Sequence, residues 1–304
     1  MGYVGRFAPS PTGPLHFGSL VAALASYLDA KAHGGKWLVR IEDIDETRCK
    51  AEYATEILTT LRAFGMQWDG KVETQSRRKP LYEGAMQRLT ALGLTYRCVC
   101  SRKEIADSAI AGLEGPVYPG TCRSLNIAVD PVGSVPIAAT RVRTSAEMIA
   151  FADAVQGYIQ QSVEREIGDF VLKRRDGLFT YQLAVVVDDA AEGVTHVVRG
   201  ADLLDSTARQ IYLQKLLGLP TPQYLHIPVA VNAHGQKLSK QTLAEAIIAD
   251  DGDVRVLLLS ALSFLGQPVA KLSQTSTTSE LLLRSARLWD RNRLPHTRTA
   301  ISPL

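Results

Sequence analysis

An α/β fold, built on a doubly wound Rossmann-type parallel sheet, is what three features of this sequence predict. A short apolar strand at Tyr3–Phe7 runs through a Gly/Pro-rich turn into a long amphipathic helix. Strand-like and helix-like segments then alternate as far as Tyr96. Between Cys98 and Val135 the composition breaks, as Gly and Pro crowd around clustered cysteines. Residues 1–97 and 136–241 are therefore expected to carry the sheet, 98–135 an insertion, and 242–304 a short helical C-terminal region.

The first helix is expected from Gly18 to Lys31, because Leu20, Ala23, Leu24 and Leu28 recur at i, i+3 and i+4 spacing. The turn from Pro9 to Ser19 aims backbone N–H groups and the positive end of the helix dipole into one small space, which suits a phosphate. Ser10 and His16 would sit beside it; an ordinary βα turn rich in Pro and Gly is the plainer alternative. Lys36 to Glu42 reads as a second buried strand with Glu42, Asp43, Asp45 and Glu46 at its end. Glu42 keeps the strand's alternation and is expected to face the crevice where ligands collect, whereas Asp45 and Glu46 read as a solvated turn. Helices follow at Ala51–Phe64, with Ile57, Leu58, Leu61 and Phe64 on one face, and at Leu81–Leu92, started by Pro80 and stopped by Gly93. Gln75–Lys79 between them is polar and loop-like, and Gly93–Tyr96 returns to a strand.

From Ala138 the pattern is β-like: Ala139–Arg143, Val155–Val163 and Phe170–Lys173, with a turn at Asp176-Gly177. Tyr181–Val187 is a strongly apolar run in the same stretch, ending at Asp188-Asp189. Thr195–Val198 is a short strand closed by Arg199-Gly200. Ser206–Leu217 reads as an amphipathic helix with Ser206 as its N-cap, and Tyr224–Val231 as a strand. Gly235-Gln236-Lys237-Leu238-Ser239-Lys240-Gln241 follows, and the tail is helical at Val254–Leu265 and Glu280–Trp289.

With 304 residues, 46% of them hydrophobic, the chain is long enough to bury a substantial core. Its 34 basic and 31 acidic residues leave a net charge of +3, which excludes a uniformly basic surface. Local basic faces remain open at Arg77-Arg78-Lys79 and Lys173-Arg174-Arg175, although the first reads more simply as a solvated charge run. No apolar run reaches membrane-spanning length and no leader pattern is seen, so a cytoplasmic protein without membrane association, monomeric, is the expectation. Four cysteines in such a protein do not suggest a disulfide framework. Cys98, Cys100 and Cys122 instead ask for a metal, while Cys49 stands apart.

The turn Pro9–Ser19 and the segment Lys237–Gln241 gain meaning as a pair. KLSKQ alone reads as a solvated loop. At the switch point of a doubly wound sheet, however, the first loop would supply an imidazole and helix N–H groups, and the second two lysines and a serine. Such a site stabilises charge on a pentavalent phosphorus, where catalysis is chiefly positioning and electrostatics. No G-x-x-x-x-G-K-[ST] run is present, which argues against a P-loop NTPase.

Pro9-Ser10-Pro11-Thr12-Gly13-x-Leu15-His16-x-Gly18 resembles the HIGH-type signature of class I aminoacyl-tRNA synthetases in its glutamyl form. Lys237-Leu238-Ser239-Lys240-Gln241 resembles their KMSKS-type signature. Val185–Asp189 and Thr195–Leu204 look like the segment that joins the two signatures in glutamyl enzymes. Ser19 stands where the first signature ends in His, and Gln241 where the second ends in Ser. A large helical anticodon-binding domain would follow the lysine loop in a full glutamyl enzyme, and only residues 242–304 follow here. That short form resembles the glutamyl-queuosine tRNA(Asp) synthetase family, stand-alone catalytic-domain paralogues.

The resemblance implies ATP with Mg2+, L-glutamate, and tRNA(Asp) carrying queuosine at its wobble position. It implies glutamate-binding roles for Arg6, Ser10, Glu42, Tyr181 and Arg199. A guanidinium holds a carboxylate through parallel charge-assisted bonds, so Arg6 and Arg199 are candidates for the two carboxylates and Glu42 for the α-ammonium. For Tyr181 a core aromatic is the alternative. Pro9, Thr12, His16, Gly18, Ser19 and Lys240 would line the ATP site, with His16, Lys237 and Lys240 catalytic. The family pattern adds Tyr118 to Cys98, Cys100 and Cys122 as the fourth ligand of a Zn2+; three buried thiols with Tyr118 packed nearby is the alternative. A truncated glutamyl-tRNA synthetase acting at the tRNA 3′ end, a non-catalytic tRNA-binding relic and a pantothenate-synthetase-like nucleotidyl transferase are the rival readings.

Overall fold

The structure is a computed structural model that describes residues 2–108, 110–112, 115–125, 127, 138–237, 247, 251–272, 274–275 and 277–303. The chain enters through β1 (Val4–Phe7), α1 (Phe17–Ala32) and β2 (Lys36–Ile41), a crossover in which β1 and β2 pair in parallel. Then come α2 (Ala51–Ala63), the short β3 (Glu73–Thr74) parallel to β2, α3 (Lys79–Ala91) and β4 (Thr95–Cys98). The insertion contains α4 (Arg102–Ser108) and the small hairpin of β5 (Ile110–Gly112) and β6 (Gly115–Val117). After β7 (Ala139–Val142), β8 (Met148–Asp153) and β9 (Gly157–Ser162) form a second hairpin, followed by the single turn α5 (Val163–Glu166) and β10 (Val171–Lys173). The remaining elements are α6 (Tyr181–Ala191), β11 (His196–Gly200), α7 (Thr207–Leu217), β12 (Gln223–Ile227), β13 (Val229–Val231), α8 (Asp251–Phe264), α9 (Thr278–Leu288) and β14 (Thr299–Ile301).

Two ladders meet at the middle of the sheet. One runs β3-β2-β1 and the other β11-β12-β8-β9, with β11, β12 and β8 parallel. Thr195 N–H donates to Val4 O at 2.9 Å, and Val4 N–H to Thr195 Oγ1 at 2.8 Å, so β1 and β11 lie edge to edge. The order reverses there, as a doubly wound sheet requires. Alternate residues then serve opposite faces. Val198 and Leu225 join the core built on α1, α2, α8 and α9, whereas Val197 and Tyr224 join the core built on α3, α6 and α7.

Four sequence expectations change in detail. Tyr181–Ala191 is the helix α6, not part of the β-like stretch. Leu183, Ala184, Val185 and Val186 are all buried, and a helix buried on most sides reads as a continuous apolar run, as a strand does. The strand expected at Val155–Val163 is β9, shortened to Gly157–Ser162 because Val155 and Gln156 lie in the turn of the β8–β9 hairpin. Asp153 Oδ1 closes its turn by accepting from Val155 and Gln156 N–H at 3.0 and 2.8 Å. Tyr224–Val231 breaks at Pro228, which has no N–H for the ladder, giving β12 and β13. Ser206 occupies the N-cap position of α7 as expected, but its side chain makes no capping bond; its Oγ accepts from Gln182 Nε2 at 3.1 Å. The tail supplies the two expected helices and also β14, which pairs in parallel with β13.

Candidate active site at the carboxyl ends of the strands

A cavity of about 1140 Å³ opens where β1, β2, β11 and β12 end. That exceeds the usual ~300–1,000 Å³ of a single small-molecule pocket and leaves room for two ligands side by side. Arg6, Pro9, Ser10, Thr12, His16, Gly18, Ser19, Glu42, Tyr181, Arg199 and Lys237, all named from the sequence, line it. Lys240 and Gln241 lie outside the described residues.

On one side is the N-terminus of α1. His16, rather than Gly18, is its boundary: the residue is extended (φ −117°, ψ 172°) and its Nδ1 accepts from Ser19 N–H at 3.4 Å. The imidazole thus caps the helix while its ring lines the cavity. No acidic residue occupies the first turn, which leaves the positive end of the dipole uncompensated there. Glu42 N–H donates to Pro9 O at 3.0 Å, locking the turn against the end of β2.

On the other side is a buried ionic cluster. Arg6 is 3% exposed, and its Nε donates to Asp189 at 3.2 and 3.3 Å. Its terminal nitrogens have no protein partner among the described residues. Arg40 donates to Asp189 Oδ1 at 2.7 Å, to Glu42 Oε1 at 3.1 Å and to Glu192. Burial pushes the Glu42 carboxyl up to about 6, against the pull of Arg40 and Arg6. Asp189 is shifted the other way: Arg6 and Arg40 outweigh its burial and hold it below the usual carboxylate range. The cluster therefore keeps Asp189 charged, while burial makes ionisation of Glu42 harder.

Arg199 differs from Arg6 in being saturated by protein. Nε donates to His226 Nε2 at 2.9 Å, Nη1 to Gln210 Oε1 at 2.9 Å and Tyr181 Oη at 3.3 Å, and Nη2 to Thr207 Oγ1 at 2.9 Å and Leu203 O at 3.3 Å. Tyr181 both lines the cavity and packs against the core beneath it. Lys237 is exposed and pairs with Asp202 Oδ2 at 2.5 Å across the cavity mouth.

Away from this cavity, the sulfurs of Cys98, Cys100 and Cys122 all lie within 4.8 Å of one another. Tyr118 Oη is 3.4 Å from Cys98 Sγ and 3.6 Å from Cys100 Sγ, and it accepts from Cys122 N–H at 2.8 Å. A glycine makes this possible: a Cβ on Gly168 would stand 2.9 Å from Tyr118 O, and its φ of +74° suits glycine. The four donor atoms converge on one point, as the ligands of a four-coordinate metal do. Cys49, set aside from the sequence, sits at the rim of the large cavity.

Arg40, Asp153, Asp189, Gln210 and His226 escaped the sequence reading. Asp189 carried a signal, an acidic pair ending an apolar run. Arg40 sits inside a strand that otherwise reads as plain apolar core, and Asp153, Gln210 and His226 belong to elements with no motif around them.

Residues 3–295 match the family described as tRNA synthetases class I (E and Q), catalytic domain. The glutamyl-Q tRNA(Asp) synthetase of Neisseria meningitidis serogroup C (strain 053442) is 51% identical over 301 residues, covering 99% of this chain and 99% of that protein. That of Dechloromonas aromatica (strain RCB) is 50% identical over 307 residues, covering 99% and 98%. Among solved structures, a glutamate-tRNA synthetase from Elizabethkingia anophelis superposes with a TM-score of 0.80 at 23% identity, covering 99% of this chain and 68% of that one. The shared fold is that of the class I synthetase catalytic region.

Proposed function

Because the chain belongs to the class I tRNA synthetases of the E and Q group, we propose that it activates L-glutamate with Mg-ATP and transfers it to queuosine of tRNA(Asp). It is then an enzyme of the ligase class. The observation that carries the reading is the pairing, in one cavity, of a helix N-terminus free of acidic residues with a buried arginine–carboxylate cluster. The first suits a triphosphate and the second a zwitterion bearing an extra carboxylate.

In the activation step an oxygen of the glutamate α-carboxylate attacks the α-phosphorus of ATP. The bond to the bridging oxygen breaks, and pyrophosphate leaves. His16, Thr12 and the N–H groups of α1 would receive the phosphates, and Lys237 and Lys240 would meet the developing charge. A well-placed donor at such charge is worth about 3 kcal/mol. Arg6 would take a substrate carboxylate with its terminal nitrogens, Arg199 Nη1 would take the other by exchanging its 3.3 Å bond to Tyr181 Oη for it, and Glu42 the α-ammonium; Ser10 stands at the cavity edge. In transfer, a hydroxyl of the queuosine cyclopentenediol attacks the glutamyl carbonyl, releasing AMP and a proton.

Residues 98–135 would form a zinc-stapled insertion held by Cys98, Cys100, Tyr118 and Cys122, beside the catalytic region 1–97 and 136–241 and the helical region 242–304. When bound, zinc would supply cross-links in a segment with little apolar core. Metal analysis of protein purified without chelator is expected to find about one zinc per chain, lost on Cys98→Ala.

Glutamate-dependent ATP–pyrophosphate exchange without any tRNA tests the activity. Exchange is expected, and its absence would return the chain to the relic reading. Label from glutamate should survive removal of the tRNA 3′-terminal adenosine; its loss would mean charging of the 3′ end.

Glu42 gives this reading a pH signature. Only its carboxylate can hold an ammonium, so affinity needs the group ionised. As pH falls through about 6, KM for glutamate at saturating Mg-ATP should climb, approaching tenfold per pH unit below it. Glu42→Gln should raise KM and flatten that profile. For stability the sign is opposite: a carboxyl raised from 4.5 to about 6 binds its proton more tightly when folded. Its contribution is therefore complete below pH 4.5 and is lost as pH rises through 6.

A further inference from the structure

Arg199 reaches the cavity with Tyr181 and Leu203, but the side chains behind it do not. Asp153, Thr207, Gln210 and His226 are all buried, and none lines the cavity wall. His226 is the register partner of Arg199 across the β11–β12 ladder, so the two side chains leave the sheet side by side. Arginine has donors only, so the 2.9 Å contact from Arg199 Nε requires a lone pair on His226 Nε2. The imidazole proton must then sit on Nδ1, where it meets Asp153 Oδ2 at 2.6 Å.

Asp153 is itself fixed. Its Oδ1 accepts from the N–H groups of Val155, Gln156 and His226 at 3.0, 2.8 and 3.2 Å. Burial holds the imidazole down to about 4, so it is neutral at physiological pH in spite of Asp153. Thr207 Oγ1 completes the surroundings at 3.3 Å from Nε2. A carboxylate thus sets a tautomer, and the tautomer supplies the acceptor for the guanidinium.

We propose that Asp153 and His226 are positioning residues for substrate recognition: by fixing the Nδ1–H tautomer they hold the Arg199 guanidinium in the plane that meets a glutamate carboxylate. The inference rests on the glutamate reading given above. It also separates two ways of presenting an arginine: Arg6 leaves its ends to the ligand, whereas Arg199 is preset by its neighbours before any ligand arrives.

The test uses single-atom logic. In Asp153→Asn, Oδ1 can keep its backbone partners while the amide NH2 faces Nδ1. The imidazole proton is then driven to Nε2, where N–H opposes the Arg199 Nε–H. KM for glutamate in pyrophosphate exchange should rise roughly ten- to hundredfold with KM for ATP within about twofold. His226→Gln returns an acceptor near the Nε2 position and should stay near wild type. His226→Asn keeps only the Asp153 side and should resemble Asp153→Asn. Nitrogen-15 NMR of the histidines should show an Nδ1–H tautomer for His226 in the wild-type protein.

Equal rises in both KM values would make these residues structural supports and overturn the inference, as would an unchanged glutamate KM in Asp153→Asn and His226→Asn. A wild-type Nε2–H tautomer overturns it whether or not the variants fold. Absence of exchange in the wild type would instead remove the glutamate reading, so the two failures are told apart.

Discussion

Arg6→Gln is expected to raise KM for glutamate about hundredfold in pyrophosphate exchange, with KM for ATP within about twofold. The guanidinium is buried and spends its Nε on Asp189, which turns the terminal pair toward the cavity. A carboxylate taken by that pair gains two parallel charge-assisted bonds beside a largely buried guanidinium. Glutamine keeps much of the length and one donor group but loses the charge. At about 1.4 kcal/mol per tenfold, hundredfold is close to 3 kcal/mol, within the range for removing one partner of a buried charged pair. Stability should suffer less than affinity, because Asp189 retains Arg40 Nη2 at 2.7 Å. Steady-state exchange with each substrate varied in turn checks this. Equal losses for glutamate and ATP would show that Arg6 shapes the cavity and does not hold a carboxylate.

The contrast between Arg6 and Arg199 could not be read from the sequence, and its cause is topological. Both are strand-end arginines in motifs, so both could be named. What each one already touches depends on elements far along the chain. Asp189 comes to Arg6 from α6, and His226 and Gln210 come to Arg199 from β12 and α7. Short-range patterning located the strand ends, because alternation and Gly/Pro turns are local signals. It left Tyr181–Val187 as an apolar run without recognising the helix, since such a run carries no period when most faces are buried. It also placed the start of α1 at Gly18, because histidine is not among the usual N-cap residues, yet His16 Nδ1 does that work here. The cysteine cluster was legible because metal ligands of one type recur close together. Arg40 and Asp153 beneath the site were not, since each appears singly within an otherwise apolar element.

The segment after α9 is tied to the first helix through one buried carboxylate. Asp29 lies on α1, fully buried, and should read as an anomaly in an apolar helix. Its Oδ1 accepts from Trp289 Nε1 at 2.9 Å and Arg291 Nε at 2.7 Å. Its Oδ2 accepts from Arg291 Nη2 at 2.8 Å and from the Tyr3 hydroxyl. One carboxylate therefore ties the start of β1 and the segment after α9 to the first helix. These donors outweigh burial and hold its carboxyl below the usual range. The stability it confers is present above pH 3.8 and is lost as pH falls below that value. Asp29→Ala leaves a half-buried guanidinium and two donors without their acceptor. The expected cost is about 3 kcal/mol, at the lower end for a broken buried pair because Arg291 keeps some access to water. That is a large share of the ~5–15 kcal/mol that ordinarily separates folded from unfolded chains. Urea unfolding should show the lower midpoint, and hydrogen exchange should show lost protection around Trp289–Leu294. Tyr3 precedes β1, at the opposite end of that strand from the cavity, so the KM values for glutamate and ATP should hold below the unfolding transition. A variant of unchanged stability would mean that the apolar contacts of α8 and α9 with α1 hold the tail without the ionic clamp.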